Sequence, residues 1–238
     1  MRMVMTAAEA DAHVPETRFG TWFLRTETWT RHVLEPAIID LERLISDRRS
    51  KYSTVVDIGC GWGRSFKLLH DRFGPDRMIG VDIDSEMVEA AAREAAKQGL
   101  MAEVRHGSSS QLPLPDQSAD MIFCHQTFHH LISQEKALAE FHRVLKPGGV
   151  LLFAESTRKY IHSWIIRLLF RHPMDVQRSA EEYLSMIREA GFVVERRNIS
   201  FPYLWWSRGD FGIMERLFGI APPMSREETL LNLAAIRR

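Results

Sequence analysis

The chain has 238 residues and a mass of 27.5 kDa, with 45% hydrophobic and 26% charged residues. That mixture excludes a disordered, collagen-like or coiled-coil polypeptide, and a chain this long buries enough surface to fold without metal or disulfide staples. Thirty-one basic residues balance 31 acidic ones, so no positive field is available to hold a nucleic-acid backbone, and no nucleic-acid partner is expected.

The two cysteines, Cys60 and Cys124, rule out a disulfide framework and a four-cysteine zinc site. Met1–Pro15 carries Glu9 and Asp11 and has no apolar core of signal-peptide length. No run approaches the ~20 apolar residues of a membrane span. A cytoplasmic address is the expectation. No pattern in the chain specifies an oligomer.

From Phe19 to Ser46, Trp22, Trp29, Val33, Ile38, Leu41 and Ile45 recur at helical steps, with Pro36 expected to break the stretch into two helices. The rhythm then changes. Apolar runs at Thr54–Ile58, Met78–Ile83, Ala102–Val104, Met121–Cys124 and Val150–Ala154 alternate with helical patterns at Gly63–Phe73, Ser85–Gln98 and Ser133–Leu145. Such alternation predicts a parallel sheet covered by helices on both faces. Pro147-Gly148-Gly149 should turn the chain sharply into the fifth strand. Further on, helices are expected at Tyr160–Phe170 and Ser179–Ala190 and a strand at Phe192–Ile199. The aromatic-rich Phe201–Pro223 reads as a cap, and Thr229–Ile236 as a final edge strand whose leucines also permit a helix. The organisation is one compact domain: an N-terminal helical cap over residues 1–50, a nucleoside-binding half over 51–155, and a C-terminal half with an acceptor-site cap over 156–238.

The main chemical signal is Val55-Val56-Asp57-Ile58-Gly59-Cys60-Gly61-Trp62-Gly63, a buried strand entering a glycine turn ahead of a helix. Glycine lets the backbone turn tightly and approach a ligand, and the N–H groups at a helix start favour an anion. Asp82 ends the next strand, where a carboxylate can accept hydrogen bonds from both hydroxyls of a ribose. A dinucleotide loop would need a third glycine at position 64, which is Arg64, and Asp57 would repel a pyrophosphate. A nicotinamide-dependent oxidoreductase is therefore the alternative reading, and a non-catalytic cofactor-binding or membrane-surface module is a third.

These residues resemble the first and second motifs of the class I S-adenosylmethionine-dependent methyltransferases. Gln111–Phe123 is similar to that family's approach to its fourth strand, and Glu140–Gly149 to the helix and turn before its fifth. The resemblance spans residues 52–155. It implies an α/β fold with a doubly wound, mostly parallel seven-stranded sheet, helices on both faces, N-terminal helices and a C-terminal cap insertion. It also implies S-adenosyl-L-methionine as cofactor. On that resemblance Asp57, Gly59, Cys60 and Gly61 would serve the methionine end, Asp82 the ribose, and Ile83 the adenine face. Ser108 and Ser109 would lie at the adenine edge, although the family usually has an acid where Ser108 stands. His125 would sit near the transferred methyl.

Methyl transfer to oxygen or carbon uses a base to remove the acceptor's proton, and His129 and His130 are the candidates. The i, i+4 pair His125 and His129 invites a zinc reading, but the glutamate of a metalloprotease helix is missing, and no metal is expected. Ile161, Trp164, Ile165, Leu168 and Leu169 form an apolar helical face flanked by Arg158, Lys159, Arg167 and Arg171. This face suits the packing side of a cap, or peripheral contact with an anionic membrane. With Phe201–Trp206 and Phe211–Phe218, it points to a small apolar or aromatic acceptor.

Overall fold

The computed structural model describes residues 16–222 and 225–238. The acidic segment Met1–Pro15 and the end of the aromatic stretch at Pro223 lie outside the described residues.

Helices α1 (Arg18–Leu24) and α2 (Glu27–Trp29) are each N-capped by a threonine hydroxyl, Thr17 and Thr26. Pro36 does not break the helix as expected. A π-helical turn at Thr30–Leu34 widens the spiral just upstream, and Pro36 sits in the first turn of α3 (Glu35–Leu44), where no intrahelical N–H is needed.

The sheet follows: β1 (Thr54–Ile58), α4 (Phe66–Phe73), β2 (Arg77–Asp82), α5 (Ser85–Lys97), β3 (Ala102–His106), β4 (Ala119–His125), α6 (Gln134–Val144) and β5 (Leu145–Ser156). The strand order is β3-β2-β1-β4-β5-β8-β6, where β6 is Phe192–Val193 and β8 is Leu230–Arg237, with β1 to β5 parallel. Adjacent residues feed opposite cores. Val55, Met121, Phe123 and Leu152 pack with α3, α4 and α5, whereas Val56, Ile122, Cys124 and Leu151 pack with α6 and the later helix α9 (Ala180–Glu189). Burial on both faces explains why the strands read as continuous apolar runs rather than alternations.

Several boundaries depart from the sequence expectation for local reasons. The first crossover helix starts at Phe66 rather than Gly63, because Gly63 has a left-handed φ of 71°. Residues 146–149 do not separate helix from strand. They bulge within β5, so that Leu145 pairs with Ala119 and Val150 with Met121, and Gly148 takes φ 73°. The expected helix at Tyr160–Phe170 splits into α7 (Arg158–Ile161) and α8 (Trp164–Leu169). A reciprocal Ser179–Glu182 capping box starts α9 (Ala180–Glu189).

The expected strand Phe192–Ile199 is also broken. Only β6 (Phe192–Val193) and β7 (Ile199–Ser200) are extended, separated by a 3-10 turn in which buried Asn198 donates to the carbonyl of Leu44 at 2.7 Å. After α10 (Ile213–Phe218), β8 (Leu230–Arg237) runs antiparallel to β5 along its length. It is an interior strand rather than the expected edge, since β6 and β7 pair with its outer side. Among the described residues the sheet thus has eight strands in place of seven.

Candidate active site

The ends of β1, β2 and β4 open onto a groove of about 630 Å³ lined by Gly59, Gly61, Asp82, Ile83, Ser108, Ser109, Gln126, Thr127 and His130, among others. This is the carboxyl edge where an α/β sheet reverses its strand order, and ligands settle there. Gly59, Gly61 and Gly63 all have left-handed φ angles, of 67°, 50° and 71°. A Cβ on Gly59 would overlap the Thr127 side chain, whereas one on Gly61 would meet nothing within 4 Å. Gly59 is therefore required for packing and Gly61 faces open space.

The loop is fixed by β2. The amides of Gly59 and Cys60 donate to the Val81 carbonyl at 2.8 and 3.2 Å, and the amide of Gly61 donates to Asp82 Oδ2 at 2.8 Å. Asp82 Oδ1 accepts from the amide of Asp84 at 3.0 Å, and Asp84 caps α5 through the amide of Glu86. The Asp82 carboxylate is thereby held at the groove rim by two backbone donors, which fixes its orientation. Arg64, which stands where a dinucleotide loop has glycine, instead donates to the Arg25 carbonyl at 2.8 Å and ties the loop to the N-terminal helices.

Three of the expected contacts lie behind this lining. Asp57 is buried and receives a hydrogen bond from the Ser65 hydroxyl. Burial pushes its carboxyl up to about 7, with the Ser65 bond opposing that rise and the negative charge of Asp82 adding to it. Cys60 directs its sulfur into the space above Gly80, and burial raises its thiol well above the ordinary range. His125 is the last residue of β4, stacked on Phe123 at 5.8 Å and edge-on to Trp29 at 5.7 Å. Burial, helped by His129, lowers its imidazole to about 3. None of the three lines the groove.

Ser108 Oγ lies 2.9 Å from Ser110 Oγ, so the groove floor beside Ser109 carries hydroxyls rather than a carboxylate. Gln126 was not singled out from the sequence. It has φ 51°, uncommon for a residue with a side chain, and its Oε1 accepts from the Ser156 hydroxyl at 2.7 Å. Such strain tends to collect at functional sites.

A second cavity, about 250 Å³, adjoins the groove and shares Glu16, Leu24, Gln126 and His130 with it. Its wall is largely apolar, with Phe19, Phe23, Ile161, Ile166, Phe170 and Trp205, and its polar corner holds His129, His130 and His172. His129 Nδ1 lies 2.6 Å from Glu155 Oε2. Glu155 is fully buried, and its Oε1 accepts from the amides of Thr127 and Phe128 at 2.8 and 2.7 Å. Glu155 is the penultimate residue of β5. His172 reaches the corner from the loop after α8, which sequence spacing does not reveal.

The family model for a methyltransferase domain matches residues 56–153. The chain is 36% identical over 104 residues to a protein of Mycolicibacterium smegmatis named "Probable S-adenosylmethionine-dependent methyltransferase", which covers 44% of this chain and 38% of the relative. A demethylmenaquinone methyltransferase of Listeria welshimeri is 29% identical over 134 residues, covering 54% of this chain and 56% of that protein. The matches thus span 38% or less of the first three curated relatives. A solved S-adenosylmethionine-dependent methyltransferase from Aquifex aeolicus shares the fold, with a TM-score of 0.64 and 21% identity over 91% of this chain and 96% of that one. The glycine turn, the acid at the rim and the matched domain agree: residues 56–153 are similar to the methyltransferase domain of S-adenosylmethionine-dependent enzymes.

Proposed function

We propose that the protein transfers a methyl group from S-adenosylmethionine to a small lipophilic or aromatic acceptor, at oxygen or carbon. The observation that carries this reading is the apolar cavity beside the groove, which joins it at Glu16, Leu24, Gln126 and His130. Its greasy wall suits a ring or hydrocarbon, and its histidine corner suits the one polar atom that reacts. The demethylmenaquinone methyltransferase of L. welshimeri, whose named acceptor is a quinone, agrees with an acceptor of this class.

The groove fits the cofactor, since Asp82 is oriented for ribose hydroxyls and Ile83 offers an apolar surface beside it. S-adenosylmethionine, when bound, supplies an electrophilic methyl group. The chain's own part is to hold the acceptor in line and to ionise it. Positioning supplies much of the rate, and a base contributes a further ~10²–10⁴-fold. His129 and His130 are assigned that role. The Glu155 carboxylate holds Nδ1 of His129 as the protonated nitrogen, leaving Nε2 as the basic one. Gly59, Gly61, Asp82, Ile83, Ser108 and Ser109 are assigned to the cofactor directly, and Asp57, Cys60 and His125 support them from behind.

A lipophilic acceptor also favours a membrane-surface encounter. Trp164, Leu168, Leu217 and Phe218 are each at least 66% exposed, and Arg167, Arg171 and Arg216 lie on the same cap segments. No helix among the described residues is long and apolar enough to cross a membrane. Peripheral attachment of a cytoplasmic protein is the arrangement proposed.

The test is a panel of quinols, phenols and polar amines offered with S-adenosylmethionine. Methylation of the aromatic hydroxyl or ring-carbon acceptors is expected, and turnover of polar amines alone would overturn the acceptor assignment. Stabilisation against heat by S-adenosylhomocysteine and not by NADH is expected of the cofactor site.

A further inference from the structure

We propose that His129, His130 and His172 form a binding site for a divalent transition-metal ion. One ring nitrogen from each histidine lies within 4.8 Å of the others. The ring centroids are 4.3, 5.1 and 4.8 Å apart for the pairs 129–130, 129–172 and 130–172. An ion bound at about 2.1 Å by tetrahedral imidazoles needs nitrogens roughly 3.4 Å apart. Side-chain rotations closing at most about 1.4 Å make that geometry.

His129 carries the outer support that metal-bound histidines have. Its Nδ1 is fixed on Glu155 at 2.6 Å, which orients the ring and increases the basicity of Nε2. Glu155 is itself held by the amides of Thr127 and Phe128. The chain brings these groups from distant places. His129 and His130 lie on a one-turn 3-10 helix after β4, Glu155 near the end of β5, and His172 in the loop following α8.

The donor set chooses the ion. Three imidazoles without thiolate or clustered carboxylate suit Zn²⁺, Fe²⁺, Co²⁺ or Ni²⁺ and not Mg²⁺ or Ca²⁺, which take oxygen ligands. Three protein ligands leave a coordination position open, as in catalytic rather than structural sites. All three histidines line the apolar cavity, so the open position faces the space assigned to the acceptor. An ion there would polarise an acceptor hydroxyl and take over the ionising role given above to free imidazole. That consequence rests on the methyl-transfer reading, whereas metal binding itself does not.

The experiment titrates untagged, chelator-treated protein with Co²⁺ and Zn²⁺, followed by calorimetry and by the visible absorption of Co²⁺. Saturable binding of one ion per chain is expected, with Mg²⁺ failing to compete. His172→Ala and His130→Ala should each abolish it, and Glu155→Gln should weaken it by about 10- to 100-fold. The more conservative His172→Gln guards against a loss caused by misfolding. In the His172 variants, whose side chain lies outside the cofactor groove, S-adenosylhomocysteine affinity close to wild type is expected, which reports an intact fold and cofactor site. No saturable binding in wild type, or equal binding in the His172 and His130 variants, would overturn the proposal. Loss of S-adenosylhomocysteine binding in wild type would instead strike at the methyl-transfer reading and leave the metal site standing.

Discussion

His129 Nδ1 sits 2.6 Å from Glu155 Oε2, with both side chains buried. The other Glu155 oxygen is committed to two backbone amides, so a glutamine at this position cannot satisfy both groups while Nδ1 of His129 carries the proton. If its carbonyl keeps the amides, its NH₂ faces Nδ1 and forces the proton to Nε2. Glu155→Gln in metal-free protein is therefore expected to lower acceptor turnover about 100-fold, the lower bound for losing a general base. S-adenosylhomocysteine affinity should stay near wild type. Nitrogen chemical shifts of the His129 ring should report the exchanged tautomer, a readout that simple loosening would not produce.

Asp82 is held by the amides of Gly61 and Asp84 at the mouth of the groove. Asp82→Ala is expected to weaken S-adenosylhomocysteine binding by about 1.5–3 kcal/mol, as for loss of hydrogen bonds to a charged group. Calorimetry should register roughly a 10- to 150-fold rise in Kd. An unchanged Kd would place the ribose elsewhere.

What was legible in the sequence was local. Gly59, Gly61 and Asp82 stand at the ends of consecutive strands, so spacing alone brings them to one rim. The Pro-Gly-Gly segment advertised a turn, but whether residues 146–149 leave the strand or bulge within it is settled by pairing with β4. The interior place of β8 depends on β6 and β7 covering its outer side, and those strands are two residues each, below what periodicity detects. The polar corner is tertiary throughout. Glu155 lies near the end of β5 and His172 in the loop after α8, far apart in the chain. Only the sheet and the cap bring them to His129.

Gly59 and Gly61 separate two roles of one loop. Gly59→Ala adds left-handed strain and an overlap with Thr127, and is expected to cost about 2–4 kcal/mol. For a chain this long that is a fall of about 5–15 °C in Tm. Gly61→Ala meets no neighbouring atom and carries strain alone, about 1 kcal/mol, or roughly 2–4 °C. Its methyl group enters the groove, however, so Gly61→Ala should raise the Kd for S-adenosylhomocysteine. Equal Tm losses in the two variants would mean that Thr127 moves aside freely.

Asp57 predicts a pH dependence of stability. Its carboxyl is pushed up to about 7 in the folded chain from an ordinary 3.8, chiefly by burial. The folded protein thus holds a proton that the unfolded chain releases between those values. Stability from this group is complete below about pH 4, falls as pH rises, and levels off above about pH 7. Asp57→Asn keeps an oxygen for the Ser65 hydroxyl and has no proton to lose. Urea unfolding at pH 5 and pH 8 should show wild type losing about 2–3 kcal/mol relative to Asp57→Asn across that interval. A constant difference between the two proteins would mean that Asp57 stays ionised at pH 5, with Ser65 and neighbouring dipoles outweighing the cost of burial.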